Sequence, residues 1–244
     1  MPPDQLYSVP SYADPATAAF VVIPVLLLAV MMWGTAIAWR RSQRSPTGAA
    51  LAVGMAFAAW MALTWIAADS GALRDWNALP PRFGLLVVGI VAISCGIAFS
   101  PLGRALTRHL PLWTLIAVQS FRLPLELAMH SMSNRGVMPE QMTYTGSNFD
   151  ILTGLTAIGV ALALRSGIGG RRLALLWNIG GFVLLLNVVI IAILSTPTFA
   201  RFGPDRLNVW VTYPPYVWLP AVMVTAALAG HLLIFRALFS TARS

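Results

Sequence analysis

The sequence predicts an all-α integral membrane protein with seven transmembrane helices, and three observations support this prediction. Of the 244 residues, 58% are hydrophobic and only 10% are charged, whereas a soluble domain carries about 25% charged residues. Seven apolar stretches approach the roughly 20 residues that a helix needs to cross the hydrocarbon core. Basic residues fall in alternate connections between these stretches, as the positive-inside rule expects of a multi-pass protein.

The seven stretches are predicted to be spans joined by short connections, a pattern that favours antiparallel neighbours. They cover residues 16–39, 48–68, 83–100, 112–132, 151–164, 173–195 and 216–235. The fifth is the shortest, and we expect it to begin before Ile151 or to continue toward Arg165. The second is rich in alanine, which predicts a helix that is either central or closely packed. No internal repeat or soluble domain is visible, so residues 1–244 are predicted to form a single membrane domain.

The distribution of charge predicts the orientation. All 16 basic residues are arginines, and most of them belong to one set of connections, which includes 40–47, 101–111 and 165–172. These arginines are Arg40, Arg41, Arg44, Arg104, Arg108, Arg165, Arg171, Arg172, Arg236 and Arg243. Most acids belong to the opposite set, namely Asp4, Asp14, Asp69, Asp75, Glu140 and Asp205. We therefore expect the N-terminus outside and the C-terminus in the cytoplasm.

The composition excludes several classes of protein. A rhodopsin-like retinal protein needs a lysine for its Schiff base, and the chain has none. The net charge of +8 is explained by the orientation and by contact with membrane lipid head groups, so we expect no nucleic-acid partner. The single cysteine, Cys95, provides no disulfide framework. The first apolar stretch is preceded by acids and lacks a basic region, so no cleavable signal peptide is expected.

A charged stripe in the fourth span is the main candidate site. Arg122, Glu126 and His130 are spaced four residues apart, so a helix places them on nearly one face. A charge in a bilayer costs about 2.5–3.5 kcal/mol per residue on insertion scales, so it usually marks a buried partner or a functional site. Further polar residues at comparable depth are predicted to join the stripe in one cavity open to the outside. They are Gln119, Asn148, Asp150 and Asn187.

Each of these residues also has a structural interpretation. Arg122 and Glu126 can form a buried ion pair that holds helices together. Asp150, at the start of the fifth span, can cap free backbone N–H groups, and His130 can be hydrated near the head groups. His231 is expected to lie too deep to share a metal with His130. Metal-ligand spacings and nucleophile motifs are absent from the sequence, so we expect no cofactor.

The longer connections, 133–150 and 196–212, are predicted to lie on the outer side, where recognition is expected. Aromatic residues near the same side are predicted to form a belt at the membrane interface. They are Trp76, Tyr144, Trp210, Tyr213, Tyr216 and Trp218.

The second half of the chain, roughly 115–235, resembles a family of uncharacterised bacterial integral membrane proteins. The motifs that carry the resemblance are Arg122-x-x-x-Glu126, Gln141-Met142-Thr143, Gly146-x-Asn148-Phe149-Asp150-Ile151, Ala192-Ile193-Leu194-Ser195, Val217-Trp218-Leu219-Pro220-Ala221 and His231. Relatives tend to have Phe-Glu where this chain has Tyr144-Thr145, so a carboxylate there is dispensable or replaced. The resemblance implies a seven-helix protein of the bacterial inner membrane and no established chemistry.

Three functions remain open from the sequence. The leading hypothesis is binding or transport of a small polar or anionic ligand, with Arg122 as its counter-ion and Glu126 as a proton-coupled partner. The second is an intramembrane hydrolase or transferase that uses Glu126, His130 and Asp150. The third is an accessory subunit whose polar stripe contacts a membrane-protein partner or a second copy of the chain.

Overall fold

The computed structural model describes residues 15–240 and is all-α over that range, which confirms the all-α part of the predicted fold class. Asp4, Asp14 and Arg243, which entered the charge argument, lie outside the described residues. In chain order the helices are α1 Pro15–Arg41, α2 Pro46–Asp69, α3 Arg82–Phe99, α4 Pro101–His109, α5 Leu112–Val118, α6 Arg122–Asn134, α7 Ile151–Arg165, α8 Gly170–Leu194 and α9 Thr225–Ser240.

Five helices between residues 15 and 240 are long and apolar enough to cross a membrane, which indicates an integral membrane protein. Four of them are α1, α2, α3 and α8, and the fifth is the continuous stretch Leu219–Ser240 that includes α9. The other two predicted spans are also helical, but α7 is shorter and the stretch from α5 to α6 is interrupted by a 3-10 turn, Gln119–Phe121.

The interruption between α5 and α6 has a cause in the sequence. Pro124 lies in the first turn of α6 and has no backbone N–H, so the carbonyl of Ser120 loses the partner that an α-helix would give it. A 3-10 turn shifts the hydrogen bonds by one residue at this point. As a result, Arg122 starts a new helix in the middle of a predicted span.

The last span begins with a π-helical segment, Leu219–Val224, that contains Pro220. In a π-helical turn the backbone hydrogen bonds are displaced by one residue, so a carbonyl group can lack its usual α-helical donor. Here two side chains donate to such a carbonyl. The indole Nε1 of Trp60 in α2 donates to the carbonyl of Ala221 at 2.7 Å, and Thr225 Oγ1 donates to the same carbonyl at 2.8 Å. The bond from Trp60 therefore connects α2 to the π-helical segment of the last span.

The last span lies at the centre of the bundle. Half of the residues in its apolar window are buried, against 22–33% in the other four long spans. It packs against α3, α4, α5 and α8, while α7 packs against α5, α6 and α8. Of the two predicted alternatives for the alanine-rich α2, central or closely packed, the structure supports the second, since α2 packs closely on α1 but has the lowest buried fraction of the five long helices. Small residues permit close approach but do not require a neighbour.

Two loop segments, 135–150 and 195–218, fold over one end of the bundle and are called the loop cap below. Gln141 Nε2 joins them by donating to Ser195 Oγ at 3.1 Å and to the carbonyl of Arg206 at 2.8 Å. Within the cap, Trp210 and Tyr216 are each 1% exposed and pack edge-to-face on each other and on Phe20. The belt prediction is therefore wrong for these two residues, because they fill the core of the cap.

At the opposite end, residues 101–109 form the helix α4, whereas the sequence predicts a short connection over 101–111. Ser100 caps this helix by accepting a hydrogen bond from the Gly103 backbone N–H at 3.2 Å, and Pro101 occupies its first turn. A helix starts here because Ser100 favours the N-cap position and Pro101 favours the first turn of a helix.

Candidate functional site

A buried ion pair between α6 and α7 is the centre of the candidate site. Arg122 begins α6 and Asp150 precedes α7, and their side chains are 1% and 6% exposed. The guanidinium is bidentate: Nε donates to Asp150 Oδ2 at 2.5 Å, and Nη2 donates to Oδ1. Two parallel bonds between a guanidinium and a carboxylate give a strong, geometrically fixed pair. The predicted structural pairing of Arg122 with Glu126 is therefore wrong, because the ion pair that Arg122 forms is with the Asp150 carboxylate.

The third guanidinium nitrogen of Arg122 contacts His231 of α9. Arg122 Nη1 lies 2.8 Å from His231 Nε2, and His231 Nδ1 lies 2.8 Å from Asn178 Oδ1 in α8. An arginine can only donate, so Nε2 accepts, and Nδ1 must carry the proton that it donates to Asn178. The Asn178 amide in turn donates to the His231 carbonyl at 3.1 Å. His231 is therefore neutral in this arrangement.

Glu126 lies one helical turn after Arg122 and is 2% exposed. The Asn148 amide nitrogen is 3.0 and 2.9 Å from its two carboxyl oxygens, and 2.9 Å from the Met142 carbonyl. The Asn148 amide has two N–H protons. One is donated to the Met142 carbonyl, so the other is left for the Glu126 carboxyl group. Asn148 Oδ1 accepts from the Asp150 backbone N–H at 2.9 Å, so this one side chain links the two acids.

Two glycines allow the helices that carry these residues to approach closely. A Cβ on Gly154 of α7 would lie 2.3 Å from the backbone nitrogen of Leu123 in α6. A Cβ on Gly181 of α8 would lie 2.8 Å from His231 Cε1. The lack of a side chain at these positions therefore brings α6, α7, α8 and α9 together around Arg122.

The resulting set of Arg122, Glu126, Asn148, Asp150, Asn178 and His231 is called the polar cluster below. Each of these residues is at most 4% exposed. With both acids ionised and His231 neutral, the cluster would carry one net negative charge. A net charge buried away from water is expensive, so the cluster is electrically balanced only when it holds one more proton.

Three of the seven predicted site residues lie outside the polar cluster. His130 Nε2 lies 3.1 Å from the Asn134 amide nitrogen, and its ring packs on Tyr144 at a centroid distance of 4.6 Å. The Asn187 amide donates to the Ser147 carbonyl at 2.8 Å and thereby holds the loop cap.

The third is Gln119, which donates to the Ala227 carbonyl at 3.1 Å. It fits against α9 because Gly230 leaves room for its amide.

Two further interpretations need correction. Asp150 occupies the N-cap position of α7, but its side chain caps no backbone N–H there, because the carboxylate is taken by Arg122. The predicted cavity open to the outside is also wrong for this conformation, since Arg122 is 1% exposed and the polar cluster is fully enclosed.

Sequence reasoning missed His231 and Asn178 as members of the site. Asn178 is a polar side chain inside an apolar span, which is the signal that selected Arg122. His231 was compared in depth only with His130, although Arg122 is the residue that it contacts. Within residues 15–240, no group of three or more His, Cys, Asp or Glu side chains is arranged to hold a metal ion.

The fold and the polar cluster define the class of protein: a helical integral membrane protein with ionisable side chains buried between its helices. The family model for the domain of unknown function DUF8737 matches residues 80–239, which is well over half of the chain. The chain therefore belongs to the DUF8737 family. All six residues of the polar cluster lie within the matched region, whereas α1 and α2 precede it. No curated protein and no solved structure matches the chain.

Proposed function

We propose that this chain is a proton-coupled transporter or binding protein for a small anionic ligand, with Glu126 as the proton carrier and Arg122 as the ligand's counter-ion. The observation that carries the proposal is the charge balance of the polar cluster, which encloses two acids and one obligate cation. A purely structural ion pair needs only Arg122 and Asp150. The extra acid adds a site for one exchangeable proton.

The proposal includes seven spans with the N-terminus outside, in the inner membrane of a bacterium. The continuous helical stretch 112–134 would be about 34 Å long at 1.5 Å per residue, enough for the hydrocarbon core. The α7 helix has 15 residues and would cover about 22 Å. The loop before it would then reach into the membrane, as is tolerated where backbone is buried in protein.

Glu126 is the group best placed to hold the exchangeable proton. Its two carboxyl oxygens share a single donor, one N–H of the Asn148 amide. By contrast, Asp150 accepts two hydrogen bonds from the charged Arg122 guanidinium. An ionised carboxylate needs several donors when it is buried, so the acid with fewer donors is the one that stays protonated.

The Arg122–Asp150 ion pair would couple ligand binding to proton movement. An anion that binds Arg122 must replace Asp150, whose carboxylate would then have no counter-ion beside the protonated Glu126. Glu126 would pass its proton to Asp150, to which Asn148 links it, and take up another, so each anion bound at Arg122 would bring one proton with it. Because the cluster is enclosed below the loop cap, opening of the cap would precede binding.

Proton uptake by proteoliposomes tests this function. The purified protein is reconstituted with a pH-sensitive dye inside, and phosphate or glutamate is added outside as a probe anion. We expect acidification of the interior with at least one probe. Glu126→Gln should reduce the rate to that of empty liposomes, because the amide cannot carry the proton.

Glu140→Gln is the matched control, since Glu140 lies exposed in the loop cap, and it should transport like the wild type. If the wild type moves no proton with any probe anion, or if folded Glu126→Gln moves protons normally, the proposal is wrong. The hydrolase or transferase alternative has less support, because His130 lies with Asn134 and Tyr144 rather than with Asp150.

A further inference from the structure

A basic cavity lies at the end of the bundle opposite the loop cap. It has a volume of about 480 Å³ and is formed by the turn after α1 and by α4. Four arginines line it, together with one histidine. They are Arg41, Arg44, Arg104, Arg108 and His109. None of the residues that line the cavity belongs to the polar cluster, and its charge has no part in the proposed transport.

The walls of the basic cavity are held together by specific contacts. Arg41 Nη1 donates to the His109 carbonyl at 2.5 Å, and Ser42 Oγ lies 2.9 Å from His109 Nε2. Within residues 15–240, the salt bridges are Arg82–Asp75 and Arg122–Asp150, so no carboxylate neutralises the arginines of the cavity. An anion from outside the chain would therefore be attracted there.

An apolar groove of about 440 Å³ begins beside the basic cavity. It runs between α2 and the pair α3 and α9, with Ala56 and Ala59 on one wall and Ile97 and Ala226 on the other. The groove forms because α2 packs on α1 but has few contacts with α3. Its surface is almost entirely apolar, and it lies within the part of the helices that is long enough to cross a membrane.

The two spaces meet at α4. Leu102 lines the apolar groove, while its neighbours Pro101 and Arg104 line the basic cavity. A ligand that fills both would need a phosphate-like anionic head and an apolar chain attached to it. Among membrane components, an anionic phospholipid has this chemistry, and basic cavities between helices at the cytoplasmic side suit such head groups.

We propose that this joined site binds an anionic phospholipid, with its phosphate among the arginines of the basic cavity and an acyl chain in the apolar groove. The site is independent of the proposed proton coupling, so either proposal can fail alone. Each arginine near an anionic lipid surface contributes roughly fivefold in affinity, so removing two should weaken binding by about 25-fold.

Native mass spectrometry of the purified full-length chain tests the head-group half of the site. Phosphatidylglycerol and phosphatidylcholine with identical acyl chains are added in equal amounts as probes. We expect the wild type to retain phosphatidylglycerol preferentially and Arg44→Gln/Arg108→Gln to lose that preference. Arg40→Gln/Arg172→Gln is the matched control, because it removes two exposed arginines that do not line the cavity. Equal loss in both double variants would overturn the proposal.

A second pair of variants tests the apolar groove. Ala59→Phe would fill part of the groove, whereas Ala58→Phe puts the same side chain on an exposed position of α2 outside it. We expect only Ala59→Phe to weaken phosphatidylglycerol binding. Glycerol 1-phosphate and inorganic phosphate serve as soluble probes in a thermal-shift assay. If they bind as tightly as the lipid and Ala59→Phe has no effect, the site takes a soluble anion and the lipid proposal is wrong.

Discussion

Replacing Asp150 by Asn should destabilise the protein strongly, because it removes the carboxylate that accepts two bonds from the buried Arg122 guanidinium. Both side chains are nearly fully buried, and removing one partner of such a pair costs about 3–5 kcal/mol. At about 2–4 °C per kcal/mol for a protein of 150–250 residues, the melting temperature should fall by about 6–20 °C.

The chain contains a matched control for this substitution. Asp75 pairs with Arg82 at 3.7 Å, but the two side chains are 44% and 52% exposed. An exposed pair contributes about 0–1 kcal/mol, so Asp75→Asn should shift the melting temperature by only about 0–4 °C.

Differential scanning fluorimetry of the detergent-purified variants measures both shifts under the same conditions. The double variant Arg122→Gln/Asp150→Asn should be more stable than Asp150→Asn alone, because it no longer buries a guanidinium that has lost its bidentate acceptor. If Asp150→Asn and Asp75→Asn melt within a degree of each other, the reasoning from burial is refuted.

Two further substitutions test the packing. Gly154→Ala should destabilise by about 1–3 kcal/mol, since the new Cβ would overlap the backbone of Leu123; Gly159→Ala on the same helix meets nothing within 4 Å and should stabilise by up to about 1 kcal/mol. Equal thermal shifts for the two glycine variants would contradict the close approach of α6 and α7. Trp60→Phe removes one of the two side-chain donors to the Ala221 carbonyl and should cost about 0.5–1.5 kcal/mol. An unchanged melting curve would show that the π-helical segment does not depend on this bond.

The helices could be predicted from sequence more completely than their contacts. The length of each apolar run determines where a span begins and ends, so α1, α2, α3 and α8 lie within a few residues of their predicted bounds. The α4 helix was missed because a connection rich in arginine and bounded by prolines was treated as a loop. Its capping signal, Ser100 followed by Pro101, was present in the sequence.

The partner of Arg122 could not be predicted, because the sequence does not say which helices are neighbours. Spacing within one helix favoured Glu126, four residues away, but a guanidinium can reach across to a residue of another helix. Asp150 is 28 residues away and meets it because Gly154 lets α7 approach α6. Polarity inside an apolar stretch identified members of the cluster, and their pairing depended on packing.

The loop cap shows a second limit of reasoning from sequence. Trp210 and Tyr216 have a composition and position that suit a membrane interface, yet they are buried against Phe20. An aromatic side chain near a helix end can face lipid or close a core, and only the path of the loop decides between the two.

The central claim, that Glu126 holds a proton inside the polar cluster, is tested most directly by infrared difference spectroscopy. The spectrum of the purified wild type near neutral pH should contain the C=O band of a protonated carboxyl group. This band should disappear in Glu126→Gln and remain in Glu140→Gln. If the wild type lacks the band, or if the band survives in folded Glu126→Gln, then Glu126 does not carry the proton and the proposed charge balance of the polar cluster is wrong.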